Sequence, residues 1–167
     1  MSMGLDEFFV FLSDEDKLKF SQIAEYAIHL GYKPKKAKTQ SINYVFTNNK
    51  TKAHMLKFSI EKGNPYLKMK FYATKSYSLL FHEGIRAVVE EFNYRYTGCY
   101  ECGKCKDTLH GYEYTYPDGR TFFRCGSELI CLPDFTQQDI PEILDLLQTQ
   151  HDYYLSKLQI KQLEEKL

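Results

Sequence analysis

Between positions 53 and 73 the chain alternates apolar and polar residues with period two. It does so twice, on either side of Gly63-Asn64-Pro65. His54, Leu56, Phe58 and Ile60 share one face of the first segment. Leu67, Met69, Phe71 and Ala73 continue that face on the second, read as a strand over 66–73. Period-two alternation across a tight turn specifies adjacent antiparallel strands with one buried face. Ile42–Thr47, bounded by Asn48-Asn49, supplies a third strand of the same meander. The rest of the chain must cover the apolar face.

Helical segments are available to do so. Ser13 followed three residues later by Asp16 has the form of a capping box, and Gly31 suits the position just beyond a helix end. A second helix is expected from about Tyr77 to Asn93, with a stripe of Phe81, Ile85, Val88 and Phe92. A third begins near Asp139, where Asp-Ile-Pro-Glu combines an N-cap with a first-turn proline. Lys33–Gln40 reads as a basic connection. Tyr116-Pro-Asp-Gly119 joins two strands as a hairpin, and 129–132 reads as one more short strand. The expected class is α+β: a single domain over 1–167, an antiparallel sheet with helices packed on one side, and a cysteine-rich metal-binding loop. The segment 97–132 is a candidate small zinc-binding lobe, and 156–167 a helical tail through which two copies could pair.

The five cysteines all fall between positions 99 and 131. No basic-then-apolar leader opens the chain, and no apolar run is long enough to span a bilayer. The expectation is a soluble cytoplasmic protein whose thiols serve metal or redox chemistry rather than a disulfide framework. Cysteines three apart in a tight turn can aim both sulfurs at one point, and Zn²⁺ takes four such thiolates in a tetrahedron. Cys99-Tyr-Glu-Cys102-Gly103-Lys104 resembles the zinc knuckle of zinc ribbons and treble clefs, a resemblance that implies metal binding and no further activity. The expected ligands are Cys99, Cys102, Cys105 and Cys125, with Cys131 and His110 as substitutes. Cys131 lies in an apolar run, where cysteine is ordinarily a small core residue. An iron–sulfur cluster would need a fourth cysteine close after Cys105, which Lys106–Leu109 does not supply. Cys102-Gly-Lys-Cys105 also looks like the redox pair of thioredoxin-like proteins, a resemblance that implies a strand-to-helix junction; here the motif is expected between a helix and a hairpin.

Charge is distributed unevenly. From Lys33 to Lys75 there are eleven lysines and one acid, Glu61, so the remainder of a chain of zero net charge is acidic. Lys57, Tyr66, Lys68, Lys70 and Tyr72 are expected on the outward sheet face. Lysines that follow phosphates between rings that stack on bases would form a nucleic-acid or anion face. The blander expectation is a face kept soluble by its lysines; the segment contains no arginine for bidentate phosphate recognition. His54 is expected on the core face of its strand, and no histidine or carboxylate pair forms a catalytic set. Two function classes follow: a zinc-stabilised module binding a small ligand, a protein or nucleic acid, and an enzyme using the cysteine cluster as a dithiol or open zinc centre.

Overall fold

The computed structural model describes residues 4–94, 111–132 and 134–166. The architecture is α+β with an antiparallel sheet. A short helix α1 (Asp6–Phe9) leads into α2 (Asp14–His29), whose Ser13 side chain accepts a hydrogen bond from the Asp16 amide at 3.1 Å. Then come β1 (Tyr32–Lys36), β2 (Asn43–Asn48), β3 (His54–Glu61), β4 (Asn64–Met69) and α3 (Leu79–Glu90). The hairpin β5 (Gly111–Thr115) and β6 (Thr121–Cys125) precedes β7 (Ile130–Cys131) and the long α4 (Ile140–Glu164).

The strands form a five-stranded sheet in the order β1-β2-β3-β4-β7 and a separate two-stranded sheet, β5-β6. Register aligns Phe46, Leu56, Met69 and Ile130 in one row of the larger sheet, and Tyr44, Phe58 and Leu67 in the next. Helices cover this face. Phe58 meets Phe8 of α1 at 5.2 Å and Phe20 of α2 at 4.9 Å between ring centroids. The Ile130 side chain lies against Gly84 of α3. One apolar cluster runs from Leu5 to Leu147 and takes in Tyr114 and Tyr116 of the hairpin.

Four local expectations are corrected. The 33–40 connection contains strand β1; among the described residues it pairs only with β2, so Pro34 and three lysines are tolerated because an edge strand needs neither a full amide ladder nor an apolar alternation. The tight turn lies at Lys62-Gly63, both with positive φ, because Glu61 pairs with Asn64. The register shift between Phe46 and Thr47 opposes His54 to Thr47 and leaves His54 exposed rather than in the core. The strand read through Ala73 ends at Met69, where Phe71 leaves the ladder to pack on Phe81 and Tyr77.

Candidate functional site

Cys99, Cys102, Cys105 and His110, three of the expected metal ligands and one substitute, lie outside the described residues. Cys125 and Cys131 do not. Cys125 is the last residue of β6 and pairs in register with Gly111, the residue that follows His110. The approach there is close: a Cβ on Gly111 would lie 2.1 Å from the Arg124 carbonyl oxygen. Cys125 is 7% exposed. Its sulfur accepts from the Ser127 amide at 3.5 Å and lies 3.0 Å from the Ser127 hydroxyl. An amide aimed at the sulfur would also help to hold a metal-bound thiolate.

Cys131 is in the other sheet. It stands half-buried at the end of β7, in register with Lys68 on the face opposite Ile130, and is not one of the fully buried core residues. Burial pushes its thiol up, and nearby Lys68 partly offsets this. Among the described residues no three His, Cys, Asp or Glu side chains are grouped to hold a metal ion.

The expected lysine and tyrosine face is only partly assembled. Lys35, Val45, Lys57, Lys68 and Cys131 form one cross-strand row, with Tyr66 opposite Ser59 in the neighbouring row. Lys70 and Tyr72 lie beyond the end of β4; Lys70 is buried, and the Tyr72 ring meets Tyr153 of α4 edge-on at 5.5 Å. Burial raises the Tyr72 hydroxyl, with the neighbouring Tyr153 adding to it. On the row that remains, Lys68 is paired with Glu61, whose other partner is the Ser59 hydroxyl at 3.0 Å. The hydrogen bond from Lys68 holds the Glu61 carboxyl below its ordinary value against a smaller burial effect. Burial, then Lys68, lowers the Lys57 ammonium. With Lys68 paired to Glu61 and Lys57 half-buried beside it, this row forms a weaker phosphate track than five outward residues would.

Two clefts flank the sheet. A cleft of about 490 Å³ opens between the start of α2, the start of β4 and Leu132, Asp134 and Phe135. Its buried Lys19 is consumed internally: Nζ donates to the Phe135 carbonyl at 3.1 Å and pairs with Asp16 at 2.9 Å. The second, of about 430 Å³, lies where the start of β1, the β2–β3 turn and α4 meet, and includes Lys33, Lys50 and His151. These three residues are far apart in the chain and no motif links them, so local spacing carries no signal of the cleft.

The fold and these surfaces define an α+β protein with a five-stranded antiparallel sheet and a docked hairpin carrying a cysteine at its end. No protein-family model, curated protein or solved structure matches the chain.

Proposed function

We propose that the protein is a binding module stabilised by a structural zinc ion, held by Cys99, Cys102, Cys105 and Cys125, rather than an enzyme using the cysteine cluster. The observation that carries the reading is the setting of Cys125. It ends a strand directly opposite the residue that follows the Cys99–His110 segment, and its sulfur already receives the Ser127 amide. A donor so arranged suits a metal thiolate. Cys131 serves the proposal less well, since it belongs to the larger sheet and burial disfavours its thiolate. Zinc would contribute folding free energy by tying a polar segment to the hairpin. Small ligands or protein partners fit a module of this kind better than nucleic acid does, because Lys70 and Tyr72 are withdrawn from the lysine row.

Metal analysis and thiol titration on one native preparation test this. The expected result is zinc in one-to-one amount, with cluster thiols that react only after a chelator is added, and loss of the metal in Cys125→Ser. Metal-free native protein with one rapidly alkylated cysteine would overturn the zinc module and favour the enzyme reading instead.

A further inference from the structure

We infer that the cleft between the start of β1, the β2–β3 turn and α4 binds a small phosphate monoester, with Lys33, Lys50 and His151 taking the phosphate and Leu30 and Leu155 the organic part. This gives the binding module a ligand class, and it stands independently of the metal.

Every charged group lining the cleft is cationic: Lys33 on β1 and Lys50 on the turn. Neither has an acidic partner among the described residues, whereas Lys36 and Lys68 of the same basic segment are paired with Glu7 and Glu61. The wall is rigid. The Asn48 side chain donates to the Leu30 carbonyl at 3.2 Å and accepts from the Lys50 and Thr51 amides at 2.8 and 3.1 Å. That single side chain fixes the turn to the end of α2 and sets where the Lys50 stem begins. His151 is 8% exposed and shares a hydrogen bond of 3.2 Å with the buried Tyr32 hydroxyl through Nδ1. Nε2 is therefore the ring nitrogen left for a ligand. The charged groups acting on the ring are Lys50 across the cleft and Asp152 on its own helix. A dianion between Lys33 and Lys50 would reverse the effect of Lys50 and favour the imidazolium, adding a third donor cation. With Leu30 and Leu155 on the remaining wall, the cleft suits an anion bearing a ring or short chain better than a bare ion. The volume of about 430 Å³ falls within the range of small-ligand pockets.

The test is an NMR titration of the full chain with inorganic phosphate and with phenyl phosphate. Saturable shifts at Gly31, Asn49 and Lys50 and at the His151 ring are expected, with phenyl phosphate tighter and the His151 titration midpoint raised. The double variant Lys33→Gln/Lys50→Gln should weaken phenyl phosphate by about tenfold. Lys62→Gln, which removes a lysine at the other end of β3, should not. Both sets of changes are at exposed positions, so folding is preserved, and the amide spectrum verifies it. Linear, non-saturating shifts, or equal weakening by Lys62→Gln, would overturn the inference.

Discussion

At Gly111 an added methyl group would meet the Arg124 carbonyl oxygen at 2.1 Å and the Phe123 ring at 2.7 Å. Backbone cannot yield as a flexible side chain can, so Gly111→Ala should destabilise by about 3 kcal/mol, the upper end of overpacking costs. Gly119, at φ +89 in the Tyr-Pro-Asp-Gly turn, has open space around it, and Gly119→Ala should cost only the left-handed penalty of about 1 kcal/mol. Thermal melts of the two variants give the comparison, and an inverted order would show that the hairpin is not seated as described. His151 supplies a second prediction at this scale. Burial lowers its ring below the ordinary value, with Lys50 acting the same way and Asp152 opposing. The unfolded chain then binds its proton at a higher pH than the folded one does. Stability should be fullest above the ordinary histidine value of about 6.5 and fall as pH drops through that value toward the lowered one. His151→Gln should flatten that part of a melting-temperature profile recorded between about pH 5 and 8.

Among elements, the hairpin is joined to α3 by polar contacts as much as by packing. Arg124 of β6 is 1% exposed and donates to the Val89 carbonyl near the end of α3 at 2.8 Å. Tyr116 donates to Glu90 at 2.8 Å, and the Arg86 guanidinium donates to the Tyr114 hydroxyl at 2.7 Å. Replacing Arg124 by Leu removes its buried donor to the Val89 carbonyl, and should cost about 2–3 kcal/mol in denaturant unfolding. Arg120→Ala removes an exposed pair with Asp118 and the guanidinium's contacts with the Tyr94 and Tyr116 rings at 5.5 and 5.0 Å, and should cost about 1 kcal/mol. Equal effects from the two would mean that the Arg124 bond to Val89 contributes no more than a surface contact does. The hairpin turn and the Ser13 cap are both legible in sequence, because each rests on residues within four positions. Strand β1 is not. Its residues Tyr-Lys-Pro-Lys-Lys have no alternating pattern, and it exists because β2 offers a free edge.

For the molecule as a whole, the burial of α4 is uneven. Its buried residues end at His151, and Ile160 and Leu163 are exposed. A chain stopped after Leu155 should melt within about 1 kcal/mol of the full length, since surface residues away from special contacts contribute little. If copies pair, Ile160 and Leu163 are the contact, and sedimentation of both chains decides it: a monomer in each removes pairing through the tail. No helix among the described residues is long and apolar enough to cross a membrane.

Local physics was enough for the α+β class, the α2 cap, the β5–β6 turn and the apolar face of β3, since each depends on propensity, turn chemistry or periodicity over a few residues. Tertiary structure decided the rest. It ended β4 at Met69 by drawing Phe71 onto Phe81, joined β7 to β4 rather than to the hairpin, and turned His54 outward through a bulge. It also brought Lys33, Lys50 and His151 to one cleft. Contacts across such separations arise only once loops close and layers pack, and no window of neighbouring residues records that free energy.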